Sequence, residues 1–368
     1  MKVLMLSKAL VSGAYHKKLQ LLVRSGIEME LIIPERWGNL TAEITSSSDY
    51  KIHILPCYFN GKNHFHFYRG IGKILKAFKP DIFHIDEEHY SFVTFLSAIQ
   101  SQKNKTPFLF YTWQNINKKY PFPFSYFEKF IFRHASIGMA GNEEAKEILL
   151  KKGFKKEVDV IPQFGVDPEL FKPSDPLLAR QKTKFAPHDF VIGYFGRLVP
   201  EKGILDLLDA VHSLSGKCKL LIVGSGELKE TILHFVQSNK MEKDVQLLNM
   251  VISTDVPEYL NACDCTVLPS LTRANWKEQF GRVIIESMAC EVPVIGSDSG
   301  EIPNVIGFQE LIFREGDVTS LTSRILMLMD NKESFLQIRK KSRDRVLNNF
   351  TYDHIVSATL KSYQKMLL

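Results

Sequence analysis

The stretch that decides the fold runs from Thr266-Val267-Leu268-Pro269-Ser270, through Glu278-Gln279-Phe280-Gly281-Arg282-Val283-Ile284-Ile285-Glu286, to Pro293-Val294-Ile295-Gly296-Ser297-Asp298. The first segment is a β-branched run ending in a loop. The second carries an apolar, helix-like repeat, and the third is another strand-like run. Strand, loop, helix and strand in that order describe a β-α-β unit with parallel strands. A helix opening near Gln279 aims its first N–H groups at whatever occupies the crevice above the strand ends, a ready position for an anion. Glu278 then falls on the loop lip and Glu286 two turns into the helix. Neither carboxylate suits the anion, yet each suits hydroxyl groups on either side of it. An anionic centre flanked by two polyols describes a nucleotide-sugar: ribose, diphosphate, hexose. A glutamate pair alone fits a solvated helix face equally well, so the weight falls on motifs elsewhere in the chain.

Working outward, the same alternation recurs. Strands are expected at Phe190–Phe195, Lys219–Val223, Val245–Leu248, Thr266–Leu268, Val294–Gly296 and Leu311–Phe313, with helices between them. The first half alternates likewise, with strands at Val3–Ser7, Glu28–Ile33, Lys51–Leu55, Asp81–Ile85, Phe108–Trp113, Ser136–Ala140 and Val158–Ile161. Between the halves the rhythm breaks over Phe164–Asp189, where Pro168, Pro173, Pro176 and Pro187 accumulate. The expected fold class is α/β: two Rossmann-like, doubly wound parallel-sheet domains facing a cleft at the carboxyl ends of their strands. The expected boundaries are 1–165 for an acceptor-side domain, 166–189 for a linker and 190–350 for a donor-binding domain. A C-terminal helix over 351–368 is expected to cross back to the first domain.

Bulk properties agree with an ordinary globular chain. Its 368 residues suffice for two domains, with 45% hydrophobic and 24% charged residues. The net charge of +6 is uneven: residues 1–165 hold 23 Lys+Arg against 15 Asp+Glu, and the remainder 24 against 26. A basic first half suits an anionic partner such as a membrane surface, or is simply a solvated face. Of the five cysteines, only Cys263 and Cys265 are close, a poor metal signal. No apolar run reaches the roughly 18 residues of a membrane span. Lys8 interrupts the apolar start, which reads as a first buried strand rather than a signal peptide. A cytoplasmic location, at the inner face of the membrane, is expected. No nucleic-acid partner is expected.

Two motifs carry chemistry in the second half. In Gly193-Tyr194-Phe195-Gly196-Arg197-Leu198-Val199-Pro200-Glu201-Lys202-Gly203 a strand ends at Gly196, and a loop then presents Arg197 and Lys202. Gly196 permits close backbone approach, and the two cations suit a diphosphate, Arg by forked hydrogen bonds and Lys as a point charge. Surface cations paired with Glu201 would give the same spacing. The next strand ends in Gly224-Ser225-Gly226, a phosphate-approach turn lacking the third glycine of the dinucleotide fingerprint. A tight turn without a ligand explains it as well. Asp86-Glu87-Glu88-His89 is an unsuitable metal cluster, because consecutive side chains point in different directions.

Together, Gly-Arg-Leu-x-x-Glu-Lys-Gly, Gly-x-Gly, Glu-x-Phe-Gly-x-x-x-x-Glu and Pro-Val-Ile-Gly-Ser-Asp-x-Gly-Glu-Ile-Pro resemble the donor domain of family 4 retaining glycosyltransferases. Gly165-Val166-Asp167-Pro168-Glu169-Leu170-Phe171 extends the similarity, which is specific over roughly residues 140–305. The resemblance implies the GT-B fold and a nucleotide-sugar donor, such as a UDP- or GDP-hexose, with no bound metal or other cofactor. It implies that Arg197 and Lys202 hold and neutralise the departing diphosphate. Glu278 would bind hydroxyls of the donor sugar, helped by backbone N–H groups around Phe280 and Gly281, and Glu286 would take the ribose. Retention by front-face attack would then rest on charge stabilisation by the cations. The acceptor is expected to be a glycan or lipid-linked glycan.

The first half departs from that pattern. Where many relatives carry Gly-Gly, this chain has Ser12-Gly13-Ala14-Tyr15, leaving Gly13 to approach the donor. Where many carry a histidine, it reads Tyr111-Thr112-Trp113-Gln114-Asn115, so Gln114 takes that acceptor-side place and cannot titrate. The alternative is a non-catalytic protein of the same fold that binds sugar nucleotide or glycan as an assembly or regulatory partner. Aromatic and basic stretches at Tyr58–Arg69 and Tyr120–Phe127 fit an acceptor border, a membrane interface or core packing.

Overall fold

In the central strands, short runs rich in Val, Ile, Leu and Phe are buried on both faces, as parallel strands covered by helices require. The computed structural model describes residues 1–43 and 49–368. The first sheet contains β1 (Lys2–Leu6), β2 (Glu28–Pro34), β3 (Lys51–Leu55), β4 (Ile82–Ile85), β5 (Phe108–Thr112), β6 (Ile137–Ala140) and β7 (Val158–Val160). Its order is 3-2-1-4-5-6-7 and every pairing is parallel. The second contains β8 (Val191–Phe195), β9 (Lys219–Val223), β10 (Val245–Leu248), β11 (Cys265–Leu268), β12 (Val294–Ser297) and β13 (Ile312–Phe313). Its order, 10-9-8-11-12-13, is again parallel throughout. In both sheets the order reverses beside the first strand, the doubly wound arrangement.

Alternation along β1 divides the first core. Val3 and Met5 join Leu19, Leu22 and Leu31 on one face of the sheet. Leu4 and Leu6 join Leu75, Phe83 and Val93 on the other. Residues i and i+2 of a strand share a face, so each core takes every second side chain. All four β1 side chains are essentially inaccessible; truncating Leu4 to Ala would cost about 2–5 kcal/mol.

The chain divides into two compact units, Met1–Gly165 with Tyr352–Leu368, and Val166–Thr351. The first carries α1 (Lys17–Arg24), α2 (Ile71–Phe78), α3 (Phe92–Lys103), α4 (Phe124–His134) and α5 (Glu143–Lys151). The second carries α6 (Pro176–Arg180), α7 (Ile204–Ser213), α8 (Lys229–Ser238), α9 (Val256–Asn261), α10 (Arg282–Ala289), α11 (Ile302–Ile306), α12 (Val318–Asp330) and α13 (Lys332–Asn349). The last helix, α14 (Tyr352–Leu367), belongs to the first unit. It places Ile355, Val356 and Tyr363 in that core, and the Tyr363 hydroxyl meets His84 Nδ1 at 2.7 Å.

The proline-rich stretch 166–189 is not a loose spacer. Asp175 caps α6 by accepting from Leu177 N at 2.9 Å, with Pro176 at the first helical position. Arg180, almost fully buried, donates to the carbonyls of Pro187 and Asp189, each at 2.6 Å, and to Asp264 Oδ2 at 2.5 Å. A guanidinium with several fixed acceptors fastens this segment onto the second unit. Among the described residues no helix is long and apolar enough to cross a membrane.

Candidate functional site

In the second unit, parallel strands bring their following loops to one end of the sheet. The loops after β8 and β9 are packed backbone to backbone. A Cβ at Gly224 would lie 2.0 Å from the Gly196 carbonyl oxygen, and one at Gly226 would lie 2.3 Å from that of Leu198. Leu198 N donates to Ser225 O at 2.9 Å. The glycines at 224 and 226 therefore serve first to let two strand-end loops close together, whereas a Cβ at Gly196 would meet only the Tyr194 side chain at 3.6 Å, an ordinary contact. Gly203, at φ 64°, ends the short turn Pro200–Lys202, and a Cβ there would meet the Pro269 carbonyl oxygen at 1.9 Å. That contact fixes the Lys202 turn against the loop after β11.

Lys202 and Glu278 meet across those loops. Lys202 Nζ lies 2.5 Å from Glu278 Oε2, with both side chains largely buried. Ser270 Oγ donates to the same oxygen at 2.8 Å, and Ser297 Oγ fixes the Ser270 carbonyl at 2.6 Å. The ammonium also stands 5.1 Å from the centre of the Trp276 ring. Arg197 is more than half exposed and lies 3.5 Å from Glu201. It is the less constrained cation of the pair: one ion pair at 3.5 Å, against the Glu278 carboxylate and the Trp276 ring that hold Lys202.

The helix carrying Glu286 spans Arg282–Ala289, as its apolar repeat predicts, and does not open near Gln279 as the anion-site reading expects. Gly281, at φ 73°, is the N-cap of α10, so the helix begins at Arg282 and Glu286 lies one turn inside it. Arg282 Nε donates to Glu286 Oε1 at 2.6 Å. Burial raises the Glu286 pKa above the ordinary carboxylate value, and the Arg282 charge only partly offsets this. Phe280, buried, packs its ring against Phe350 at 5.9 Å. Glu278 is likewise no lip residue but a buried one. Both glutamates read as hydroxyl acceptors thus already hold a cation.

The first unit places its two site residues differently. Gly13 N donates to Glu43 Oε2 at 2.6 Å, and Ser12 Oγ reaches the same oxygen at 3.1 Å. The amide expected to face a donor is occupied by a carboxylate. Gln114 is buried; its Nε2 donates to the Tyr120 hydroxyl at 3.0 Å, while Oε1 has no hydrogen-bond partner among the described residues. Tyr120 stacks on Tyr90 at 4.3 Å. Nearby, Asp86 to His89 take separate partners: Asp86 accepts from Ser7 and Gln163, Glu87 pairs with Lys8, Glu88 accepts from Thr112 and Trp113, and His89 faces Glu128.

The sequence matches two protein families, Glycosyltransferase Family 4 over residues 18–170 and Glycosyl transferases group 1 over residues 177–345. The chain belongs to the family 4 glycosyltransferases. An uncharacterized glycosyltransferase of Methanocaldococcus jannaschii is 28% identical over 181 residues, covering 48% of this chain and 49% of that protein. The chain thus spans about half the length of that relative. The capsular polysaccharide biosynthesis glycosyltransferase CapM of Staphylococcus aureus is 28% identical over 275 residues, covering 70% of each chain. The crystal structure of Anabaena HepE in complex with UDP superimposes with a TM-score of 0.77 at 19% identity, over 99% of this chain and 100% of that one. That likeness shows the GT-B fold.

Within this family 4 glycosyltransferase, Arg197, Lys202, Glu278 and the glycines at 196, 224 and 226 gather at one end of the second sheet, while Glu286 pairs with Arg282 on α10. Sequence reasoning missed Ser270, Trp276 and Arg282. Arg282 was legible, since residues four apart on a helix are neighbours. Ser270 and Trp276 sit in loops where spacing alone does not reveal contact.

Proposed function

We propose that this protein transfers a hexose from a nucleoside-diphosphate sugar to a glycan or lipid-linked glycan, with retention at the anomeric carbon and without a bound metal or other cofactor. The observation carrying this reading is the Lys202–Glu278–Ser270 cluster at the carboxyl ends of the second unit's strands, where open α/β sheets bind ligands. Anabaena HepE was also solved with UDP-glucose, which supports a nucleotide-sugar as the donor class. In this reading Lys202 and Arg197 take the diphosphate oxygens, and Glu278 accepts hydroxyls of the sugar. Glu286 accepts ribose hydroxyls, and backbone N–H groups near Phe280 and Gly281 complete the cradle. An ammonium has three protons to donate, so Lys202 can keep Glu278 oriented while it receives the phosphate.

The step is a displacement in which the acceptor hydroxyl attacks from the face the diphosphate leaves. The C–O bond to diphosphate breaks, the new glycosidic C–O bond forms, and the hydroxyl proton passes to the leaving phosphate oxygen. Charge developing on that oxygen meets Lys202, already held in place by Glu278, which lowers the barrier without reorganisation, and exposed Arg197 adds its charge. Gln114 and Gly13 would serve the acceptor and donor sides respectively, the latter after Glu43 yields its amide.

The test is incubation of folded protein with a panel of UDP- and GDP-hexoses, with and without oligosaccharide acceptors, reading nucleoside diphosphate release and anomeric configuration. Slow donor hydrolysis or transfer with retained configuration is expected. Silence across the panel with no thermal shift from any nucleotide would overturn the reading. A thermal shift with no turnover on any acceptor would assign a binding role.

A further inference from the structure

Exposed aromatic rings on the first unit stand on a continuous layer of other rings. Tyr58 stacks on Phe67 (centroids 4.8 Å), Phe67 meets Phe92 (5.5 Å), and Phe92 meets Phe127 (5.6 Å). From Phe127 the layer continues through Phe95 (4.3 Å) to exposed Tyr126 (5.7 Å). Through Phe124 (5.8 Å) it reaches exposed Phe65 (5.0 Å). Phe122, two residues before Phe124, is 81% exposed and Phe59 64%. Soluble surfaces seldom expose several large rings over one aromatic layer without a use.

Phe59 also sits at φ 56°, in the left-handed region that a bulky residue rarely enters. Asn or Gly would occupy that turn with less strain. The backbone is held there with an exposed phenyl ring, an outlier of the sort that accompanies function.

Charge distinguishes what such a face can meet. Lys62 is exposed in the turn between Phe59 and Phe65, and the Arg69 guanidinium lies 4.9 Å over the Tyr58 ring. Lys119 and Lys129 are exposed beside Tyr120 and Tyr126. The three segments building this face, 58–69, 90–105 and 116–133, contain a single acid, Glu128. Its carboxylate is held by His89 at 3.0 Å and Lys152 at 2.6 Å. The face therefore presents rings and cations interspersed, with no outward acid along these segments. A protein partner calls for an apolar centre with a polar rim. Cations set among rings suit a lipid interface, where rings enter the acyl boundary and ammonium groups meet phosphates.

We propose that this face of the first unit docks on the surface of an anionic phospholipid bilayer. The inference stands apart from the donor-site reading, since no residue of the Lys202–Glu278 cluster takes part. The experiment is co-sedimentation of the full chain with vesicles of phosphatidylglycerol and phosphatidylcholine in equal parts, against phosphatidylcholine alone. Pelleting with the anionic vesicles is expected, weakened about tenfold or more on raising salt to about 0.5 M. The double variant Phe65→Ser/Phe122→Ser is expected to bind anionic vesicles at least about tenfold more weakly, with a small drop in melting point from the lost Phe65–Phe124 contact and an unchanged thermal shift by UDP or GDP. Lys62→Glu/Lys119→Glu should weaken binding similarly and reduce its salt dependence. Equal pelleting of wild type and both variants, or no pelleting with anionic vesicles, would overturn the proposal. So would a concentration-dependent dimer abolished by the same ring substitutions, which would assign the face to a second copy of this chain.

Discussion

At the scale of single residues, the decisive fact is that the lysine and glutamate of the second unit hold each other at 2.5 Å. A nucleoside diphosphate must share that ammonium with a carboxylate already in place. Glu278→Gln keeps the shape and the hydrogen bond from Ser270, but releases the charge. It should bind UDP or GDP several-fold more tightly while slowing transfer by about 100-fold or more. Calorimetry beside steady-state rates reads both, and weaker nucleotide binding in the variant would show that Lys202 is not held back by Glu278. The two cations should also differ from each other. Lys202→Ala strands a buried carboxylate and should cost roughly 1–3 kcal/mol of stability, whereas exposed Arg197→Ala should cost no more than about 0.5 kcal/mol. Both should reduce turnover, by about 10²–10³-fold for Lys202. Urea titrations of the two variants separate these effects; equal stability losses would remove the ion pair from the account. The identities of these residues were legible in the sequence, because each follows a strand at a loop. Their mutual contact was not, since it joins positions 76 residues apart.

At the scale of elements, strands were easily read and short helices were not. The strands are continuous apolar runs bounded by polar loops, a pattern set by burial on both faces. α6 and α11, at five residues each, complete too few turns to show a period. The apolar repeat of Arg282–Ala289 marks α10 itself, while Gly281's left-handed φ, which excludes Gln279 and Phe280 from the helix, leaves no periodic trace. Gly203 shows how an element joint serves the site. It ends the Lys202 turn, starts α7 and touches the Pro269 carbonyl. Gly203→Ala should destabilise by about 2 kcal/mol or more, from the positive φ and the overlap together. Because the shift moves Lys202, nucleotide affinity should fall with it. A variant that melts at a lower temperature but binds UDP or GDP as tightly as wild type would separate the joint from the site.

At the scale of the molecule, the two units should respond differently to acid. In the first, burial alone would raise the Glu87 pKa, but Lys8 and His66 outweigh it and hold the group at about 2. Its folded value is below the ordinary value of 4.5, so its stabilisation is complete above pH 4.5. That contribution, of the order of 3 kcal/mol, is lost as pH falls toward 2. Glu128 shifts down in the same way, burial being outweighed by His89 and Lys152. In the second unit, burial raises Glu286 and Asp264 despite Arg282 and Arg180. Their ionised forms cost stability above their folded pKa values, and acid relieves that cost. Asp86, raised by burial against the pull of Lys18, offsets part of the first unit's loss without reversing its sign, because Glu87 and Glu128 both oppose it. Amide exchange followed from about pH 6 to about pH 3 should therefore show β1 and β4 losing protection before β8 and β11. Glu87→Gln should lower the first unit's stability near neutrality and flatten its acid response, leaving the second unit unchanged. Simultaneous loss of protection in both sheets, unaltered by that substitution, would mean that the buried Glu87 pair does not govern the acid limit of the fold.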